Sequence, residues 1–265
     1  LTIDLETSIL GIRNLQKKRG IFSMKGNRSM QDMTEGRPIS LILKFFFPLL
    51  FGMLFQQFYN LVDTAIVGKF LGPDDLAAVG ATGSVNFLIL GFCMGVCNGF
   101  AIPLAHKFGA GDYRGLRAFM VNAIYLSAIF AVAMTAVTVV FCRPILELMR
   151  TPDNIIDGAY LYIVIIFAGI PATYLYNLIS AIIRSMGDSK TPVVFLVISS
   201  VMNIALDLVF IINLHLGVAG ASLATVISQG VSAILVTRSL MKSYGILKLE
   251  LRDIRFHGAL LKSEL

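Results

Sequence analysis

The sequence predicts an all-α integral membrane protein, a bundle of six transmembrane helices, and three observations carry the prediction. Of 265 residues, 56% are hydrophobic and only 14% charged, against about 25% charged in an average soluble domain, and mean hydropathy is +0.79. Six apolar segments are each long enough to cross about 30 Å of hydrocarbon at 1.5 Å rise per residue. The connections between them are short and rich in Gly and Pro, which end helices for reasons of backbone geometry and make sequential helices antiparallel.

The predicted spans are 41–67, 79–104, 119–141, 159–182, 193–212 and 218–240. GKFLGPDD, HKFGAGDYRG, CRPILELMRTPDN, RSMGDSKTP and NLHLG join them. Pro48, Pro103 and Pro171 fall in or at the edges of spans, where each frees a backbone carbonyl and permits a bend. Most of the glycines there are expected to serve close helix packing. Cys93 and Cys97, spaced i, i+4, would share one helix face as small packing residues, and Cys142 lies beside an apolar stretch.

Charge sets the expected orientation. The 22 Lys and Arg exceed the 16 Asp and Glu, giving a net charge of +6. With the amino end inside, 19 of these basic residues lie on the inner side and only Lys69, Arg143 and Arg150 outside. The positive-inside rule therefore puts both ends in the cytoplasm, in a multi-pass protein of the cell membrane surrounded by lipid, and makes a nucleic-acid partner unnecessary to explain the charge. Residues 1–37 form a basic cytoplasmic tail expected to be disordered, without the pattern of a cleavable signal peptide. Residues 38–241 form the transmembrane lobe, and 242–265 a cytoplasmic linker or an amphipathic segment along the inner surface.

Of the acidic residues, only Asp63 and Asp207 lie within spans. A carboxylate there costs about 2.5–3.5 kcal/mol on insertion scales, so it usually serves an ion, a proton or a substrate. Asp63 stands six residues before Lys69 and Asp207 six before Asn213, each about 9 Å below the outer end of its span. The two carboxylates thus sit at one level and could face a common cavity.

Polar neighbours extend the pattern. Gln56, Asn60 and Asp63 make a stripe on the first span, flanked by Tyr59; Ser200, Asn203 and Asp207 do so on the fifth, and Ser222, Thr225, Gln229 and Ser232 on the sixth. Interhelical hydrogen bonds, worth about 0.6 kcal/mol on average, account for the Ser and Thr positions. They account poorly for two aspartates with no Lys or Arg in mid-span to pair with. Water-poor surroundings penalise a lone charge, so such carboxylates are suited to holding H+ or a monovalent cation. The sequence has no GxxxxGK[ST], GxSxG or HExxH motif and no Cys/His cluster of metal-ligand spacing. Neither an enzyme nor an ATP-driven pump is expected, and no cofactor beyond a coupling H+ or Na+.

From about Gly36 to Leu240 the sequence resembles the multidrug and toxic compound extrusion (MATE) transporters, in particular the bacterial branch. QFYNLVDTAIVGKFLG, HKFGAGDYRG, GIPATYLYNLISAIIRSMGDSKTP and SSVMNIALDLVFI carry the resemblance. It implies a cation-coupled antiporter exporting cationic or amphipathic drugs in exchange for H+ or Na+. It also implies a two-lobed, twelve-helix transporter of which this chain is the amino-terminal six-helix lobe, its partner being the missing second lobe or another copy. Carried over by motif, the cation site falls on Asp63, Asn203, Asp207 and Thr225, with Tyr162 and Asn177 from the fourth span. Substrate-facing positions fall on Gln56, Tyr59, Asn60, Ser200 and Gln229. Two other readings stand beside this one: an inert or assembly-only membrane fragment that performs no transport, and a flippase of lipid-linked oligosaccharides from the same superfamily. The flippase would favour basic residues in its cavity to hold pyrophosphate.

Overall fold

The computed structural model describes residues 37–243, so the expectations for the amino-terminal tail and for the segment past Ser243 lie outside the described residues. The described residues form α1 (Pro38–Phe70), α2 (Pro73–Gly109), α3 (Tyr113–Leu148), α4 (Ile156–Ala168), α5 (Ile170–Ser185), α6 (Lys190–Leu208) followed by one π-turn (Val209–Asn213), and α7 (Gly217–Ser243). Five apolar helices are long enough to cross a membrane singly, α6 counted with its π-turn. The sixth crossing is the pair α4 and α5, bent by 47°. The six predicted spans are therefore present, the fourth as a broken one.

The boundaries differ from expectation. Helices α1, α2 and α3 have 33, 37 and 36 residues, or about 50–55 Å at the helical rise, well beyond the hydrocarbon. Much of what the sequence marks as connection is helical: GKF belongs to α1, HKFG to α2 and CRPILEL to α3, so Pro144 lies inside a helix. A charged residue ends an apolar window without ending a helix. The chain turns where the backbone demands it, at Gly72 (φ 102°) before Pro73 and at Gly111 (φ 71°). Asp112 then caps α3, its Oδ1 accepting the Gly115 N–H at 2.9 Å.

The same device recurs before α6. Gly187 takes φ 83°, and the fully buried Asp188 accepts the N–H groups of Lys190 and Thr191 at 3.0 Å each and the Thr191 hydroxyl at 2.6 Å. These are orphan donors of the helix start. Asp188→Ala removes a cap and leaves buried donors without an acceptor, so it is expected to lower stability by about 1–2 kcal/mol, read as a lower melting temperature in detergent.

Packing buries Ser199 and Ser200 of α6, Ser222, Ser228 and Ser232 of α7, and Tyr59, Tyr162, Tyr174 and Tyr176 among Leu, Ile and Phe, while many other bulky apolar side chains face outward; Gly91, Gly95 and Gly99, expected to serve helix packing, are exposed. Phe87 is 83% exposed, Ile39 74% and Met53 67%, the inversion expected of a surface wetted by lipid. Helices α5 and α7 form the centre: α7 packs on α4, α5 and α6, α5 on α2, α3 closes against α2, α4 and α5, and α1 lies on α6. Cys93, Cys97 and Cys142 are buried thiols, with Cys97 Sγ 3.9 Å from the Tyr174 carbonyl oxygen.

Candidate functional site

The face by which α1 meets the bundle runs through Gly52, Tyr59 and Ile66 at heptad spacing. Gly52 permits the approach: a Cβ there would stand 2.9 Å from Val193 Cγ2 of α6. Seated this way, α1 brings Asp63 to Asp207 near the end of α6, and the carboxyl groups lie close enough for one proton to bridge them. Asp207 is wholly buried and Asp63 half-buried. With neither protonated, both oxygens of Asp207 and Oδ1 of Asp63 have no hydrogen-bond donor.

The groups around the pair are polar and carry no positive charge. Tyr59 of α1 and Tyr162 of α4 are buried and within electrostatic range of both carboxylates. One turn below Asp207, Asn203 Nδ2 donates to Thr225 Oγ1 of α7 at 3.3 Å, and that hydroxyl donates to the Ala221 carbonyl at 3.1 Å. Asn203 Oδ1 is left buried without a donor. The unpartnered atoms of this cluster are therefore all oxygens, the donor set that suits a proton or a hard monovalent cation.

Below the carboxylates a tight crevice, too narrow for a water molecule as it stands, is lined by Tyr59, Ser199, Ser200, Asn203, Thr225, Ser228 and Gln229. It gathers four of the sequence-derived candidates from α6 and α7 and one from α1. Two lining residues, Ser199 and Ser228, are absent from the sequence-derived set. Their signal was spacing: Ser199 is four residues before Asn203, and Ser228 three after Thr225 and four before Ser232. Hydroxyls also tie the two helices together, Ser199 Oγ donating to the Ser228 carbonyl at 3.0 Å and Ser232 Oγ to the Phe195 carbonyl at 3.1 Å.

Three candidates stand apart. Gln56 is half-buried and not part of the crevice wall. Asn60 is exposed and donates to Gln57 Oε1 on its own helix at 3.3 Å. Asn177, beyond the bend, donates to the Thr173 carbonyl at 2.8 Å. The π-turn immediately after Asp207, where Leu214 N–H reaches back to the Val209 carbonyl at 3.1 Å, has no sequence signal; such turns recur at functional sites.

The model of the MatE family matches residues 48–209, from the proline of α1 to the start of the π-turn. The chain belongs to the MatE family. It is 29% identical over 201 residues to the probable multidrug resistance protein YpnP of Bacillus subtilis, covering 76% of this chain and 45% of that protein. To the probable multidrug resistance protein YoeA of the same organism it is 35% identical over 188 residues, covering 69% and 41%. A solved MOP superfamily transporter from Pyrococcus furiosus, described as having a binding pocket of reverse polarity, superposes with a TM-score of 0.81 at 30% identity over 89% of this chain and 52% of its own. The chain thus spans about half the length of the relatives it matches and has the fold of one half of such a transporter.

Proposed function

We propose that this MatE chain is the amino-terminal lobe of a cation-coupled exporter of cationic or amphipathic compounds, set in the cytoplasmic membrane with both ends in the cytoplasm. The observation that carries the proposal is the meeting of Asp63 and Asp207 with three carboxylate oxygens left without a donor. In this reading H+ or Na+ binds between the two carboxylates, Asn203 Oδ1 and Thr225 Oγ1 serve as neutral oxygen ligands, and Tyr162 roofs the site. Tyr59, Ser200 and Gln229 in the crevice, with Gln56 beside it, face the cargo. Asn60 belongs to the exposed face of α1 that a second lobe would meet.

Cation binding draws α1 toward α6 and α7, because the two carboxylates repel each other until a positive charge lies between them. That closure would bias the lobe between two states, provided the ion binds one of them more tightly. A cationic cargo fits better than a pyrophosphate-linked one, since no Lys or Arg lines the crevice. The test is melting of the purified chain titrated with Na+ and, separately, with acid at constant ionic strength. A rise with either one, absent with choline, is expected. A flat response to both would leave the Ser-to-carbonyl bonds between α6 and α7 as the whole purpose of the polar faces, as in a packing module.

A further inference from the structure

Buried polar atoms are nearly always partnered in folded proteins, so those that are not carry information. Among the described residues eight buried side-chain oxygens have no hydrogen-bond partner; one is on Asn86 of α2, and the other seven are on Asp63, Asp207, Asn203, Ser228, Gln229 and Ser180. Those residues form one descending series through the interior of the lobe.

The series can be followed turn by turn. From the carboxylate pair it passes to Asn203 and Thr225, 3.3 Å apart, then into the crevice wall at Ser199, Ser228 and Gln229. The next turn holds Ser232, whose hydroxyl donates to the Phe195 carbonyl at 3.1 Å. One turn lower, Tyr176 of α5 donates to the Pro192 carbonyl of α6 at 3.0 Å. The Tyr176 hydroxyl lies beside Ser180 and within electrostatic range of the Arg184 guanidinium in the last turn of α5. From Asp207 to the level of Pro192 is about 22 Å along α6. The hydroxyls along the way keep lone pairs after donating, so each step offers an acceptor. The neighbouring apolar positions on α5 and α7, Ile179, Ile182, Ala233 and Val236, are all buried. The series ends at Arg184 and the Asp188 turn, the end of the bundle that also carries Lys107, Arg114 and Lys190.

We propose that this series, closed to water as it stands, is the line along which an internal file hydrates when α5, α6 and α7 part slightly, and by which the coupling cation, H+ or a small monovalent ion, passes between the carboxylate pair and the basic end of the lobe. It rests on the cation-site reading above for what travels, but not for whether the file is wet. Water supplies the partners that the orphaned oxygens require, since a buried water needs two to four polar neighbours and the series provides them from α5, α6 and α7. Such a file leaves the floor of the crevice through serine and tyrosine hydroxyls, so the ion can be released at the basic end without a passage wide enough for cargo.

The test uses the chain with Cys93, Cys97 and Cys142 replaced by Ala, and single cysteines placed at Ser180 and Ser228, with Ala181 and Ala233 as equally buried neighbours off the series. Each variant is first checked for the melting profile and monodispersity of the parent. The probe is Ag+, a cation small enough for the file, read as thiols lost to a maleimide added after denaturation. S180C and S228C are expected to be blocked about tenfold faster or more than A181C and A233C, because a dry thiol reacts only when its helices open locally. Equal rates at all four positions would overturn the proposal. Na+ or acid is expected to slow blocking at S228C, and Asp207→Asn to abolish that slowing. Fast blocking without any such slowing upholds the file and strikes only the cation-site reading.

Discussion

Asp207→Asn is expected to abolish the response of the lobe's stability to Na+ and to acid while leaving its fold intact. The carboxamide keeps the shape of the side chain and removes the charge that a cation or proton would neutralise. A lobe that binds a cation at about 100 times its dissociation constant gains about 2.7 kcal/mol, and that gain is what the substitution removes. In cation-free buffer, at a pH high enough to ionise both carboxylates, the variant should melt higher than the parent. The substitution ends the repulsion between two carboxylates in a water-poor site and gives the pair a donor it lacks in the ionised state. The two effects have opposite signs in one protein, which separates a cation site from a packing contact: packing alone predicts the stabilisation and no lost response. Asp63→Asn should act in the same direction but less, because Asp63 is half-buried and only one of its oxygens is buried without a partner. Melting curves of the three proteins with and without Na+ decide the matter.

The carboxylate pair was legible because charge is so rare in apolar spans that two aspartates at one depth stand out. The rest of α1 was harder. A stripe drawn through Gln56, Asn60 and Asp63 treats a helix face as broader than packing allows. The face that packs is centred on Gly52, Tyr59 and Ile66, and at about 100° per residue Asp63 lies about 40° from that centre, Gln56 about 60° and Asn60 about 100°. Asp63 is therefore drawn in and Asn60 left exposed. Ser199 and Ser228 escaped notice for the opposite reason, since Ser beside a longer polar residue reads as helix filling until both are seen to line one crevice. Helix ends are not legible in hydropathy, which measures where lipid stops and not where hydrogen bonding stops. Asn177 depends on the bend: α4 and α5 meet at 47°, so depth counted along one straight helix does not transfer from Tyr162 to a residue on the far side of Gly169.

That bend carries the second large expectation. Gly169 joins α4 to α5 with φ −80°, a backbone any residue can adopt, so its glycine is required by space and not by conformation. A Cβ at Gly169 would collide with Cγ2 of Val226 and stand 2.8 Å from its Cγ1, and the β-branched valine, held to one rotamer on a helix, cannot swing away. Gly169→Ala must then push α7 off the break, with an overpacking cost of about 1–3 kcal/mol. Val226→Ala in the same chain removes both methyl groups concerned and should restore most of the loss, giving a coupling of about 0.5–3 kcal/mol in a double-mutant cycle of melting or denaturant unfolding. Additive effects would mean that the close approach is not what holds the bend. The consequence reaches the site because Tyr162 lies two turns before the break, while Tyr176 and Ser180 lie two to three turns after it. One contact between Gly169 and Val226 therefore fixes where both groups of residues stand against α6 and α7. Gly169→Ala should weaken the Na+ or acid response as well as the fold, and Val226→Ala should return both together.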